Sequence, residues 1–356
     1  MPEPAEWIPF LAASYAEKRF SNFGPAARLL EERLTEKYAT RGRTYVLTAS
    51  ATTGLAAVLM AAGIRGRVAL PAFTFPATLQ AVRMARCTPV LCDVDPETWE
   101  MSPATLQPAL ALGVDAVMPV RAFGFCRNLQ PLASMCHQAG VPMVIDSAAA
   151  FGGQLDSGEW AGAQGIAEVF SFHATKVFGI GEGGLISVDS ALAEQVRRAL
   201  NFGIRARGVG PGLNGKLAEF AAAVGLAALT HMDEFVARRQ TLAAHYLSAL
   251  SAYPRLTFPA HPGKTVWQCY PVLLPDDLNA ASFVEQALEG GVEIRRYYHP
   301  ALAYEDLEQS FTISLRVSQD LAHRMVCLPL YSDMSAEEQE EILQTISLAF
   351  RGLPQR

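Results

Sequence analysis

Phe170-Ser171-Phe172-His173-Ala174-Thr175-Lys176, followed by Gly179-Ile180-Gly181-Glu182-Gly183-Gly184 and then Leu185-Ile186-Ser187-Val188, is the stretch on which the fold turns. Gly179, Gly181 and Gly184 spell G-x-G-x-x-G, the spacing of a dinucleotide-binding turn, but that turn must open a helix. Leu185 to Val188 reads instead as a strand. The glycines are therefore expected to form a tight connection between two strands, which leaves Lys176 room to extend toward a ligand.

A second short apolar strand, Val144-Ile145, ends in Asp146. A lysine after one strand and an acid at the end of another suit pyridoxal phosphate: the amine forms a Schiff base with the cofactor aldehyde, and the carboxylate keeps the pyridine nitrogen protonated. Either residue alone has an ordinary explanation, a solvated charge for Lys176 and a helix cap for Asp146. The case rests on their combination with the segments below.

The chain has 356 residues, half of them apolar and 18% charged, which describes a globular protein with room for more than one core. A net charge of −6 argues against nucleic acid as the main partner. The longest apolar runs, such as Gly54 to Ile64, fall short of a membrane span, and the acidic start Met1-Pro2-Glu3 lacks the basic region of a secretory signal, so a cytoplasmic location is expected. Six cysteines without C-x-x-C pairs read as reduced thiols, and the seven dispersed histidines suggest no metal site.

Residues 26 to 40 show the spacing of an amphipathic helix. Apolar strands and helices then alternate: 45 to 48, 52 to 62, 67 to 70, 77 to 85, 89 to 91, 116 to 119, 129 to 139 and 143 to 146. This pattern predicts an α/β fold, a large domain with a mostly parallel sheet flanked by helices. Ligands in such sheets bind beyond the carboxyl ends of the strands, where Ser50, Thr74, Asp146 and Lys176 all fall. A long helix is expected from Lys216 to about Ala252, broken near Thr230. A small C-terminal α+β domain follows, with strands at 267 to 274 and 293 to 297 and helices at 280 to 289 and 335 to 350, the last opened by a Ser335-x-x-Glu338 capping box. The expected division is a large unit over 1–240 and a small one over 241–356.

A pyridoxal phosphate site must also hold a phosphate, and the strand-to-helix turn Ala49-Ser50-Ala51-Thr52-Thr53-Gly54 offers small residues and free N–H groups for it. Ser171 adds a hydroxyl, and Pro71-Ala72-Phe73-Thr74-Phe75-Pro76-Ala77-Thr78 supplies aromatic rings for the cofactor face.

These segments occur in a particular order. N-F-G-P from Asn22, S-A-T from Ser50, P-A-F-T-F-P-A-T, D-V-D-P-E-T, I-D-S-A-A-A-F-G, F-S-F-H-A-T-K, G-E-G-G, N-F-G, N-G-K-L-A-E and L-P-L-Y together resemble the DegT-type pyridoxal phosphate-dependent sugar aminotransferases, from Asn22 to about Phe350. The resemblance implies fold type I and an enzyme that moves an amino group from an amino acid, glutamate by expectation, to a keto sugar carried on a nucleotide. It implies that Lys176 is the Schiff-base lysine and general base and that Asp146 pairs with the pyridinium. Phe75 would stack on the ring, with Ala148 near the other face. Ala51, Thr52 and Ser171 would hold the phosphate. Asn214 would reach the cofactor of a neighbouring subunit in a homodimer with shared sites. Tyr298 and His299 would face the sugar-nucleotide channel, with Arg295 and Arg296 as candidates for its pyrophosphate.

The chain departs from that family in two places. Ala149 stands where relatives typically carry Gln or His, and the stretch from Arg205 to Pro211 is short. The first departure leaves room for two other readings: amination of a ketone without a nucleotide, such as a cyclitol or an antibiotic precursor, and a cofactor-binding regulatory subunit without turnover. The sugar and its pathway, surface polysaccharide or secondary metabolite, stay open.

Overall fold

The computed structural model describes residues 1–38, 40–307, 311 and 313–352. Among them, nine strands are formed: β1 (Arg43–Thr48), β2 (Arg67–Pro71), β3 (Thr88–Cys92), β4 (Ala116–Val117), β5 (Val144–Asp146), β6 (Ala167–Ser171), β7 (Gly184–Asp189), β8 (Tyr270–Leu273) and β9 (Met325–Leu328). β3-β2-β4 and β5-β6-β7-β1 are joined by the parallel bridges Val117–Met143 and Val120–Asp146 into one sheet of order 3-2-4-5-6-7-1. β7 runs antiparallel to both of its neighbours, and the remaining pairings are parallel.

Alternation along each strand sends side chains to two buried layers, as expected of a sheet covered on both faces. Val46, Val169 and Ile186 pack with the helices Ala51–Ala61 and Ala193–Leu200. Tyr45, Leu47, Phe170 and Leu185 face the helix Pro25–Tyr38, through its Leu30 and Leu34, and the first half of Glu219–Leu250. Ala69, Val90, Val117 and Ile145 pack with Leu106 of Pro103–Ala111 and Leu132 of Gln130–Gln138. The smaller C-terminal α+β region has its own core, in which the antiparallel pair β8–β9 meets the helices Ala280–Glu289 and Ala336–Gly352 and the residues Leu242, Ala243, Tyr246 and Leu250.

The helix Glu219–Leu250 is continuous, correcting the expected break at Thr230. Thr230 keeps its place by donating its hydroxyl to the Ala227 carbonyl at 2.7 Å, which lets a β-branched residue sit within the helix. By length and composition this helix could cross a membrane, yet here it carries the buried Glu219 and Arg239 and packs along Pro25–Tyr38. The expected strand at 293 to 297 is reduced to a single bridge, Arg295–Cys327, and the one at 267 to 274 begins only at Tyr270, because Trp267 takes a left-handed backbone (φ 53). Of the expected helix 26 to 40, the structure shows Pro25–Tyr38; residue 39 lies outside the described residues. The Ser335 capping box forms as read, with Glu338 N donating to Ser335 Oγ at 3.1 Å and Ser335 N to Glu338 Oε2 at 2.7 Å.

Candidate active site

The carboxyl ends of the strands open onto a cavity of about 330 Å³. Lys176, Asp146, Ala51, Thr52, Phe75, Ala148, Ser171 and Tyr298 all line it. His299 lies in an adjoining cavity, and Asn214 is exposed outside both, its Oδ1 accepting from Lys216 Nζ at 2.6 Å.

Lys176 stands on the loop between β6 and β7. The loop is tied to itself by backbone bonds from Phe172 N to Gly183 O (2.9 Å), Ala174 N to Gly181 O (2.8 Å) and Ile180 N to Phe172 O (2.9 Å). It is anchored below by Val177, Phe178 and Ile180, with the Phe178 ring 4.5 Å from that of Phe172 and 5.3 Å from that of Phe151. With Val177 and Phe178 buried on its C-terminal side, Lys176 projects into the cavity. Burial pushes its ammonium down to about 8, against the opposing pull of Asp146 and Cys269. Roughly a tenth of the amine is then unprotonated at pH 7, far more than at its ordinary value of 10.5, and the unprotonated form is the one a nucleophile requires. Its Nζ donates to Gln268 Oε1 at 2.7 Å.

Asp146 ends β5, buried at 4% exposure. Oδ2 accepts from Thr78 Oγ1 at 2.7 Å and Oδ1 from Ala148 N at 3.1 Å, while Thr78 Oγ1 shares a 2.8 Å hydrogen bond with Thr74 Oγ1. Burial still raises its carboxyl above the ordinary range, opposed by those two donors and by Lys176. Behind it lies a second buried group: Arg121 donates Nε to Glu168 Oε2 (3.1 Å), and Ser147 Oγ donates to the same oxygen (2.8 Å). Burial would raise the Glu168 carboxyl, but the Arg121 guanidinium together with the Gln164 N–H and Ser147 hydroxyl donors outweighs it and holds the group below its usual value.

The helix Ala51–Ala61 opens on a reciprocal cap, Thr53 N to Ser50 Oγ at 3.2 Å and Ser50 N to Thr53 Oγ1 at 3.1 Å. Ala51 and Thr52 thus occupy the first turn, where the helix itself offers their N–H groups no acceptor and its dipole favours an anion. Gly184 makes this corner possible: a Cβ there would stand 2.7 Å from the Phe170 carbonyl and 3.0 Å from Ala51 N.

A poised amine, a buried carboxylate with lone pairs to spare, a helix N-terminus beside the Ser171 hydroxyl, and an apolar wall of Phe75 and Ala148 fit the groups of pyridoxal phosphate. Thr78, Gln268, Cys269 and Arg121 complete the cavity or its backing and were missed in the sequence. Thr78 lies one helical turn beyond Thr74 in the P-A-F-T-F-P-A-T motif, a spacing that could have revealed it. Nothing local marks Gln268.

The comparison with known proteins agrees with this geometry. Residues 5–347 match the model of the DegT/DnrJ/EryC1/StrS aminotransferase family. A dTDP-4-amino-4,6-dideoxy-D-glucose transaminase of Shigella dysenteriae is 30% identical over 97% of this chain and 96% of its own length. A transaminase of the same name from Escherichia coli is 26% identical over 95% of this chain and 93% of its own. Among solved structures, DesI, determined in the presence of its TDP-sugar product, superposes with a TM-score of 0.92 at 31% identity, covering 99% of this chain and 92% of its own. With the sheet order, the cavity and a match over nearly its whole length in accord, this chain belongs to the DegT/DnrJ/EryC1/StrS family and is a pyridoxal phosphate-dependent aminotransferase of fold type I.

Proposed function

We propose that this aminotransferase moves an amino group from an amino acid, glutamate first among the candidates, to a keto sugar carried on a nucleotide. The observation that carries the reading is a second cavity of about 520 Å³ that shares Thr74, Phe75, Tyr297 and Tyr298 with the first and is lined by Arg83, Arg295 and Arg296. A sugar ring at Lys176 would thus have beside it a recess bearing three arginines, of which Arg295 is paired with Glu293 at 2.6 Å, as a place for a pyrophosphate. Arg296 donates to the His323 carbonyl at 2.8 Å while its buried Nε has no partner among the described residues. The names of the Shigella and DesI relatives, each joined to a thymidine diphosphate-type sugar, support the same class.

When bound, pyridoxal phosphate supplies an electron-accepting ring that stabilises charge at the carbon beside the reacting nitrogen. Lys176 attaches the cofactor and afterwards, as an amine, takes and returns the proton at that carbon. Asp146 accepts the pyridinium N–H. Ala51 and Thr52 give backbone N–H groups, and Ser171 its hydroxyl, to the phosphate. Phe75 and Ala148 flank the ring and keep water from its faces, and Tyr298 and His299 orient the sugar. Asn214 sits on the 201–214 hairpin with the exposed Phe202, Ile204 and Val209, a surface suited to a second copy of the chain, so the working unit in this reading is a homodimer with shared sites. We assign residues 1–240 to the cofactor-binding unit and 241–356 to the small one, and the cytosol, which keeps thiols reduced, to the enzyme with its six free, buried cysteines.

The test is the visible spectrum of the purified protein. Glutamate should bleach the band of the lysine-attached cofactor, and a thymidine diphosphate-linked keto sugar should restore it. Ala149, buried in the cavity wall with no hydrogen-bonding side chain, favours one alternative, a ketone without a nucleotide. Restoration by a cyclitol ketone and not by the nucleotide sugar would establish that alternative instead.

A further inference from the structure

Gln268 comes from the C-terminal region, yet its Oε1 accepts a hydrogen bond from Lys176 Nζ at 2.7 Å. Its backbone is held in an unusual way. Trp267, just before it, takes the left-handed conformation (φ 53) that a bulky residue adopts only under constraint. The constraint is visible in Arg239, on the helix Glu219–Leu250 and 5% exposed. Its Nη1 donates to the carbonyls of Trp267 (2.8 Å), Gln268 (3.3 Å) and Leu330 (3.0 Å), and its Nε to Ser332 Oγ (2.9 Å). One guanidinium thereby fastens the 267–268 backbone to the segment that follows β9. These hydrogen-bond partners are carbonyls and a hydroxyl, and burial pushes the cation down to about 10. Through these four bonds Arg239 sets where the Trp267-Gln268 backbone lies, and hence where the Gln268 side chain enters the cavity.

We propose that Gln268 is a positioning residue for the Lys176 amine and that Arg239 acts through it by fixing the Trp267-Gln268 backbone. The inference rests on Lys176 being the lysine that takes the cofactor. A lysine side chain has four rotatable bonds, and a single acceptor aimed into the cavity fixes where its nitrogen waits when it is not attached. The other titratable groups facing the cavity are Asp146, His173, Glu182, Cys269, Tyr297 and Tyr298, with Arg121 at its floor. Of these, Asp146 and Cys269 favour the charged amine, as does the Gln268 carbonyl by accepting its proton.

Cofactor attachment joins the amine nitrogen to the aldehyde carbon, releases the oxygen as water and consumes the unprotonated amine. The experiment therefore follows the visible absorbance gained when pyridoxal phosphate is added to the full-length protein stripped of cofactor, between pH 6 and 10. Gln268→Glu places a carboxylate against the amine and should raise the midpoint of the rate profile by about one unit or more. Gln268→Leu, which keeps the volume and removes the acceptor, should lower the midpoint and slow attachment about tenfold throughout. Arg239→Lys, which keeps a charge and loses the planar fork, should slow attachment similarly and add little when combined with Gln268→Leu. If Gln268→Glu and Gln268→Leu both keep the wild-type midpoint and rate, the positioning role is wrong. A folded Arg239→Lys protein with the wild-type rate would remove Arg239 from it. Lys176→Ala separates the two levels: absorbance that still develops in that variant overturns the lysine assignment itself, whereas its loss leaves the Gln268 variants to decide the inference.

Discussion

Thr78 gives its hydroxyl proton to Oδ2 of Asp146 at 2.7 Å, so the acid at the end of β5 is held by the helix that follows β2. The bond opposes the burial that raises the Asp146 carboxyl, and favours the ionised form a pyridinium needs. Thr78→Val keeps the shape and removes the donor. The expected outcome is cofactor affinity about tenfold weaker, the worth of one hydrogen bond to a charged group, with Thr78→Ser recovering most of it. Equilibrium titration of the stripped protein with pyridoxal phosphate measures this.

Lys176 carries a stability signature with a definite sign. Burial lowers its amine from 10.5 to about 8 in the folded protein, so between those values the unfolded chain binds the proton and the folded one does not. Stability from this group therefore rises with pH from about 8 to 10.5, and the cost of the buried charge is fully present below that window. Lys176→Met removes the charge. The cofactor-free variant should be more stable than the wild type at pH 7 by about 1 to 3 kcal/mol, with the gap closing toward pH 10.5. Urea unfolding at a series of pH values tests this, and a gap that widens with pH would contradict it.

The Arg121–Glu168 pair is buried on both sides, with 0% exposure of either side chain. Removing one partner leaves the other as an uncompensated charge beneath the site. Glu168→Gln should destabilise the protein by about 3 to 5 kcal/mol, and the double variant Arg121→Met/Glu168→Leu should be less damaged than the single one. Chemical denaturation with constant m-value is the measurement.

Asn214 can be assigned to its own or to a neighbouring site by mixing subunits. If it serves the partner, Lys176→Ala and Asn214→Ala homodimers are both impaired, but a hybrid of the two holds one site with an intact lysine and an intact Asn214. Activity should then return to about half of the wild-type value per dimer, the simple count of competent sites. A hybrid no better than the Asn214→Ala protein would place Asn214 in its own subunit's site or in none.

Much of this architecture follows from patterns that a local reading captures. The strands β1, β2, β3, β6 and β7 lie where apolar runs end in turn residues, and the helix Ala280–Glu289 has the bounds its periodicity suggests. What was missed depends on distant partners. The helix Pro103–Ala111 carries Pro103 and Pro108, which disguise it, although Ser102 and Thr105 cap it reciprocally. The N-F-G-P and N-G-K-L-A-E motifs look independent, yet they meet: Glu219 of the second accepts from Ala26 N (2.7 Å) and Ala27 N (3.2 Å) at the start of the helix opened by the first. Gly24 is bare because a Cβ there would lie 2.5 Å from the Glu219 carboxyl carbon. Gln268 escaped for the same reason, since its contact with Lys176 spans 92 positions of the chain.

The antiparallel direction of β7 has a kinetic consequence. A strand returning beside β6 needs no crossover helix, so the segment bearing Lys176 is closed at its root by the ladder that pairs Ser171 with Gly184 and Ala167 with Val188. Its backbone cannot swing with the ligand as a lid would. Apart from the making and breaking of its bond to the cofactor, any movement of the lysine nitrogen would then need side-chain rotation only, on the fast timescale of rotamer exchange rather than the microseconds to milliseconds of loop opening. In the role proposed for it, Lys176 would be a short tether on a fixed post.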